Sequence, residues 1–229
     1  MKLVIVIPAF NEATVIEDVI KKLPKKIDGI DSIVPVIVDD GSSDGTYDIA
    51  KNSTQHVIKH LVNLGVGAAT TTGFEAAKKI GADIIVTLDA DGQHNPEDVA
   101  ELIKPILENR ADVTIGTRML NSKGMPKLKI FGNWVMNALT FLIFHKWVTD
   151  SQSGMRAFSK NAMKKMSFHS IGYEICSETI GEIKRNRLKL AEVPIEVIYT
   201  DYSKITGQSW LNGINILTKM ISIKLSGKK

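Results

Sequence analysis

The sequence predicts an α/β domain built on a mostly parallel central sheet, and three observations predict it. Short β-branched runs at 2–7, 33–38, 83–88 and 112–116 have the length of strands. Amphipathic stretches lie between the first three runs and after the third, the alternation that crossover helices produce. Acids, glycines and small polar residues follow the first three runs, at the carboxyl edge where open α/β sheets bind ligands.

The stretch 3–7 is short and lacks a small-residue cleavage site, so it reads as a first strand rather than a secretory leader. It ends on Pro8-Ala9-Phe10-Asn11-Glu12. The second strand ends on Asp39-Asp40-Gly41-Ser42-Ser43-Asp44-Gly45. Small residues there let backbone amides approach a ligand, and a carboxylate accepts from a base N–H or a ribose hydroxyl. The same residues also suit a plain turn with Asp44 as a helix cap. The third strand must end near residue 88, because Asn95, Pro96, Glu97 and Asp98 supply an N-cap, a proline at the first helical position and acids in the first turn.

That leaves 89–94 in a loop at the ligand edge. In an extended segment Asp89 and Asp91, at i and i+2, point to one side. Paired carboxylates suit a hard divalent cation, Mg²⁺ or Mn²⁺, whose remaining positions go to water and phosphate oxygens. Gln93 would add an amide oxygen, and His94 is a weaker candidate. A bare D-x-D reads more simply as an acidic turn; its place after an apolar strand favours the metal.

Beyond residue 116 the alternation lapses. A Gly/Lys/Pro loop at 120–127 leads to an apolar segment at 130–148, a segment at 151–159, a helix around 173–185, a strand at 188–198 and a final amphipathic helix at 211–225. With no repeat, low-complexity tract or linker, residues 1–229 are expected to form one domain, with a donor half at 1–118 and an acceptor half at 119–229.

Composition narrows the function. With 44% hydrophobic and 24% charged residues the chain has ordinary globular usage. Cys176 is the only cysteine, which excludes an internal disulfide framework and a thiolate zinc site and suits a reducing compartment. No recognition helix, aromatic RNA-binding strand or zinc spacing is present, so nucleic acid is not an expected partner. No run reaches the roughly 18 unbroken apolar residues of a spanning helix.

The net charge of +4 is unevenly spread: no Asp or Glu occurs between Asp112 and Asp150, or after Asp201. In the first of these stretches Trp134, Leu139, Phe141, Leu142, Phe144 and Trp147 are strongly apolar, while Asn133, Asn137 and Thr140 form one polar stripe. A buried helix fits this pattern. The flanking Lys123, Lys127, Lys129 and Lys146, with indoles near both ends, favour a membrane surface. The final helix repeats the theme, with Trp210, Ile214, Leu217, Ile221 and Leu225 on one face and Lys219, Lys224, Lys228 and Lys229 supplying charge.

P-A-F-N-E at 8–12, V-D-D-G-S-S-D-G-T at 38–46, N-L-G-V-G-A-A at 63–69, D-A-D-G-Q-H at 89–94, G-T-R at 116–118 and D-S-Q-S-G-M-R-A-F at 150–158 occur in that order. Together they resemble family 2 glycosyltransferases of the GT-A fold, in particular the dolichyl- or polyprenyl-phosphate mannose and glucose synthases. The resemblance implies a GT-A nucleotide-diphospho-sugar transferase fold with helices flanking the sheet, and inverting transfer by one in-line displacement. It implies that Pro8, Phe10, Asn11 and Glu12 line the nucleoside pocket, that Asp39 reads the base, and that Ala90 lies against the substrate. Asp89, Asp91 and Gln93 would hold Mg²⁺ or Mn²⁺. Arg118 would face the diphosphate or the acceptor phosphate, with Asp150 and Arg156 beside the acceptor as catalytic candidates.

The implied partners are a nucleotide sugar, UDP favoured over GDP, a polyprenyl phosphate acceptor, the membrane surface and a separate integral-membrane protein. The implied place is the cytoplasmic face. Asp150 would orient a phosphate acceptor or act as base toward a hydroxyl. Two features depart from the pattern: Val66 stands where the glycine loop often carries lysine, and the late basic motif is Lys204-Ile205-Thr206-Gly207-Gln208-Ser209-Trp210. Lys204 brings charge without a bidentate fork. A transferase acting on a soluble or polymer-bound sugar hydroxyl, and a silent scaffold of the same fold, are the competing readings.

Overall fold

A computed structural model describes residues 1–121, 125–196 and 198. Its strands are β1 (Lys2–Ala9), β2 (Ser32–Asp39), β3 (Val57–Lys59), β4 (Ile84–Thr87), β5 (Val113–Thr117), β6 (Arg156–Ser159) and β7 (Leu190–Pro194). They form one sheet in the order β3-β2-β1-β4-β6-β5-β7. The pairings β1–β2, β1–β4, β2–β3 and β5–β7 are parallel, and β6 alone runs against its neighbours β4 and β5. The sheet is mostly parallel, as expected. The carboxyl ends of β1, β2, β4 and β5 therefore share one edge, where the chain entering β6 meets them.

The helices are α1 (Ile16–Lys21), α2 (Thr46–Ser53), α3 (Val66–Lys79), α4 (Asp98–Leu107), α5 (Lys127–Phe144), α6 (Lys160–Lys165) and α7 (Ile175–Arg185). Strand β1 shows why the runs are apolar throughout. Leu3, Ile5 and Ile7 pack in one layer with Ile16, Leu102 and Ile103, while Val4 and Val6 pack in the other with Phe74, Ile85 and Phe158. Both faces are covered, so neither parity can be polar. Each fully buried Ile, Leu or Phe contributes about 1.5–3 kcal/mol. The second layer is tight: a β-carbon on Gly73 would lie 2.2 Å from Val6 Cγ1, so only glycine lets α3 approach β1. Phe74 also meets the rings of Phe158 and Phe168 edge-on, at 5.0 and 5.2 Å between centroids.

Several boundaries differ from the expected ones. The strand anticipated at 188–198 is confined to Leu190–Pro194, because its ladder ends where Ile195 N donates to Thr117 O. The chain then bends across the 89–94 loop, with Ile198 N donating to Gln93 O at 2.8 Å. Helix α4 begins at Asp98, later than Asn95 suggested. Asn95 Oδ1 still accepts from Glu97 N at 3.2 Å, but the bonds Asp98 N to Asn95 O and Val99 N to Pro96 O make the first turn tighter than α. Strands β3 and β6 were not anticipated. Pro35 inside β2 is harmless, since β3 pairs only from Ile37 onward. The helix expected at 211–225 lies outside the described residues, and among those described no helix is long and apolar enough to cross a membrane.

Candidate active site

The loops after β1 and β2 are stitched together at the shared edge. Asn11, at φ 56°, donates its N–H to Ser42 Oγ at 2.9 Å and accepts at Oδ1 from Ser43 N at 3.0 Å. Glu12 N donates to Thr46 Oγ1 at 2.8 Å and Ala13 N to Asp44 Oδ2 at 3.0 Å. Asp44 also accepts from Thr46 N at 3.0 Å, so this acid holds the turn, while the N-cap of α2 is Gly45 rather than Asp44. The stitching leaves Pro8 half-buried and the Phe10 ring exposed beside it.

Asp39 and Asp40 have opposite circumstances. Asp40 is fully engaged: Oδ1 accepts from His60 Nδ1 at 2.7 Å and Leu64 N at 3.0 Å, and Oδ2 accepts from Gly65 N at 2.7 Å. His60 Nε2 meets Thr72 Oγ1 at 3.0 Å, tying this loop to α3. Asp39 is buried, and neither of its carboxylate oxygens has a hydrogen-bond partner among the described residues. Such a group calls for an explanation. An incoming N–H donor, such as a nucleobase edge, is one.

The glycine loop has a structural reason for its glycines. A β-carbon at Gly65 or Gly67 would lie 2.4 Å from Ile171 O or 2.5 Å from Ser170 O. Gly67 N and Ala68 N both donate to Ile171 O, at 2.8 and 3.1 Å, so the N-terminus of α3 is already capped by the 170–172 loop. That loop is held by buried acids of α7 and its approach. Glu178 accepts from His169 N at 2.9 Å and Ser170 N at 3.0 Å, Glu182 from Ser167 N at 3.1 Å, and Glu174 from Gly172 N at 3.0 Å. Sequence reading missed these glutamates, which look like the solvated face of a helix.

Asp89 and Asp91 follow β4. Asp89 accepts from His94 Nε2 at 3.0 Å, and 40% of its side chain stays open to solvent. Burial would raise its carboxyl, but the hydrogen bond and charge of His94, with Arg118 and Arg156, hold it below the usual range. Asp91 goes the other way: burial and the adjacent Asp89 charge raise it, although Gln93 N donates to Oδ1 at 2.9 Å. Two neighbouring carboxylates, one of which raises the other through its charge, are a good seat for a divalent cation. Gln93 presents its amide nitrogen to Asp91, so an oxygen ligand from it requires the amide to turn over. Among the described residues no cluster of three His, Cys, Asp or Glu could hold a metal by itself. The donor set therefore fits a cation whose shell phosphate and water complete. Ala90 packs its methyl into the apolar layer, leaving only its backbone for a ligand.

On the other side of the edge, Arg118 and Asp150 form a clamp. Arg118 donates from Nε to Asp150 Oδ2 at 2.6 Å, from Nη2 to Oδ1 at 2.7 Å and from its backbone N to Oδ2 at 3.1 Å. Asn133 Nδ2 of α5 adds a bond to Oδ1 at 2.9 Å. Burial alone would raise this carboxyl; the Arg118 charge and these bonds outweigh it and hold it low. Behind the clamp, Glu192 accepts from Thr149 N and Oγ1, both at 2.6 Å. Arg156 is buried and donates to three carbonyls, Ser153 O at 2.8 Å, Cys176 O at 2.7 Å and Ser151 O at 2.7 Å. Its role here is to shape the segment before β6. Lys204 and the rest of the late basic motif lie outside the described residues.

Helix α5 is inside out. Asn133, Asn137 and Thr140 are its buried residues, whereas Leu128, Phe131 and Leu142 are 81%, 62% and 63% exposed. Trp134 and Phe141 are exposed too. The buried stripe is held by polar bonds: Asn137 Nδ2 donates to Thr149 O at 2.6 Å and its Oδ1 accepts from Ser151 N at 2.8 Å.

Comparison with known proteins adds to this geometry. The family model described as glycosyl transferase family 2 matches residues 4–167. The chain is 45% identical to an uncharacterized protein of Methanocaldococcus jannaschii, over 96% of this chain and 91% of that protein. It is 41% identical to the UDP-N-acetylglucosamine–dolichyl-phosphate N-acetylglucosaminyltransferase of Methanococcus voltae, over 96% and 95%. Among solved structures, glucosyl-3-phosphoglycerate synthase from Mycobacterium tuberculosis, crystallised with Mn²⁺, UDP and its glucosylated product, superposes with a TM-score of 0.70 at 20% identity, over 98% of this chain and 79% of that one. The likeness bears out the GT-A fold expected from the motifs.

Proposed function

The chain belongs to glycosyl transferase family 2 and is a glycosyltransferase, and on that premise we propose that it moves a hexose unit from a UDP-sugar to the phosphate of a polyprenyl or dolichyl lipid. The observation that carries this reading is the two-sidedness of α5. Its Asn133 reaches the Asp150 carboxylate, while Leu128, Phe131 and Leu142 of the same helix face outward. An acceptor with an apolar tail and a head beside Arg118 suits both faces at once.

The state of Asp150 supports a phosphate over a hydroxyl. A hydroxyl acceptor needs a base with a lone pair to offer. The two oxygens of Asp150 already accept four hydrogen bonds, from Arg118 N, Nε and Nη2 and from Asn133 Nδ2, and their carboxyl is held low. A phosphate arrives ionised and needs no base. Asp150 then fixes the guanidinium of Arg118, whose charge meets the acceptor phosphate or the departing diphosphate. Asp39 takes an N–H of the base, with Pro8, Phe10, Asn11 and Glu12 around the nucleoside. Mg²⁺ or Mn²⁺, held by Asp89 and Asp91 with Gln93, would supply neutralising charge to the leaving diphosphate. The name of the M. voltae relative and the Mn²⁺–UDP complex of the structural neighbour support the donor and the metal.

Lysines beside the α5 face, Lys127 and Lys129, suit an anionic leaflet, where each basic residue contributes about 1 kcal/mol. The reaction then belongs at the cytoplasmic face, and a separate integral-membrane protein is the other occupant this face would take. Labelled UDP-N-acetylglucosamine, UDP-glucose and GDP-mannose, offered with Mn²⁺ and polyprenyl phosphate in vesicles, test the reading. Label should enter the organic phase from a UDP-sugar; label confined to water-soluble products overturns it.

A further inference from the structure

Asp89 is gripped from two sides, by His94 of its own loop and by Gly154 far along the chain. On one side His94 Nε2 lies 3.0 Å from Oδ2. An ionised carboxylate only accepts, so Nε2 donates; the ring is buried and its Nδ1 has no partner among the described residues. On the other side the backbone of Gly154 passes so close that a β-carbon there would sit 2.3 Å from both carboxylate oxygens. Gly154 is held in place, since Thr87 Oγ1 donates to its carbonyl at 2.7 Å and Arg156 Nε to that of Ser153 at 2.8 Å. Any side chain at residue 154 must therefore displace Asp89 or the segment that carries Arg156.

We propose that His94 and Gly154 are positioning residues that fix the Asp89 carboxylate for a divalent cation, so that the segment leading from Asp150 to β6 sets the affinity of the donor site for its metal. This rests on the metal-dependent reading above. His94 fixes the rotation of the carboxylate by a directed bond, and Gly154 removes the alternatives by steric closure. Outer partners of this kind typically change metal affinity by about 10–100-fold when removed.

The test is Mn²⁺ binding, read by the electron paramagnetic signal of free Mn²⁺ with and without UDP, in the wild type, Gly154→Ala, His94→Ala and His94→Gln. Thermal melting is followed in parallel. The Ala variants should bind Mn²⁺ at least 10-fold more weakly, and His94→Gln, whose amide nitrogen reaches the same point as Nε2, should recover most of the loss. Mn²⁺ affinities within twofold of wild type in both Ala variants overturn the inference while leaving the metal reading intact. If Gly154→Ala does not fold, the His94 pair decides alone: equal weakening in His94→Ala and His94→Gln assigns the ring to packing and overturns it. A wild-type protein that ignores Mn²⁺ even with UDP present overturns both.

Discussion

On the β1–β2–β4 side of the molecule, the polar residues of the site stand in loops above strands buried on both faces, and neighbouring loops hold one another through backbone N–H groups. On the β5–β6–β7 side the arrangement is turned over. Polar side chains of α5 point inward to Asp150 and the 149–151 backbone, and apolar ones point out. The contrast separates two kinds of surface. Loops around a buried acid that has no hydrogen-bond partner among the described residues suit a small polar ligand, whereas a cation clamped beneath an exposed apolar helix suits a headgroup on a hydrocarbon chain.

If the two sides are separate devices, single substitutions should damage them separately. The largest effect belongs to Asp91→Asn, which removes one carboxylate of the proposed cation seat without changing size and should lower transfer on the order of a thousandfold. Mn²⁺-dependent UDP binding, measured by calorimetry, should be lost with it while the melting temperature holds. Asp150→Asn comes next. It leaves Arg118 without its countercharge, and breaking such a buried pair costs about 3–5 kcal/mol of stability. Transfer should fall about a hundredfold, yet UDP affinity should stay at the wild-type value; an equal loss of UDP binding would show that the two sides are one device.

A smaller effect is expected from the apolar face. Replacing Leu128, Phe131, Trp134 and Leu142 with glutamine strips the face proposed to meet a bilayer and touches no core packing, since these residues are exposed. Sedimentation with anionic vesicles should fall about tenfold, and transfer to a long-chain acceptor with it, while solubility rises. Co-sedimentation unchanged by this variant would mean that something other than lipid covers the face.

The smallest effect is in pH. Because the Asp150 carboxyl is lower in the folded chain than its ordinary value of about 3.9, the stability it brings is complete above that value and is lost as pH falls through the folded value. The stability gap between the wild type and Asp150→Asn should therefore be flat from about pH 5 to pH 8 and close only in acid. A gap that changes near neutrality would point to a different titrating group.

How far the sequence disclosed these two sides differs for a physical reason. The strands at 2–7, 33–38, 83–88 and 112–116 were legible because burial on both faces demands uninterrupted apolar runs. Strand β6 was not, since Arg156-Ala157-Phe158-Ser159 has no pattern of its own and is a strand only because β4 and β5 flank it. Asp89 and Asp91 stood out by their place after an apolar strand, and the Arg118, Asp150 and Arg156 positions came from the family resemblance. Their partners did not: Gly154 meets Asp89 and Asn133 meets Asp150 across long stretches of chain, and no local pattern encodes those contacts. The stripe of Asn133, Asn137 and Thr140 was visible as a stripe. Which way it faced was decided by the hydrogen-bonding groups of 149–151, which only the folded chain brings beneath it.

We propose that the acceptor reaches this site already ionised, because Asp150 is engaged with Arg118 and Asn133 and offers no base. The decisive experiment presents two lipids that differ only in the head, a polyprenyl phosphate and the polyprenol of the same chain length, in the same vesicles with a UDP-sugar and Mn²⁺. Transfer should go to the phosphate and none above background to the alcohol, with the rate to the phosphate level across neutral pH. Glycosylation of the alcohol at a comparable rate would contradict it and give Asp150 the role of a base.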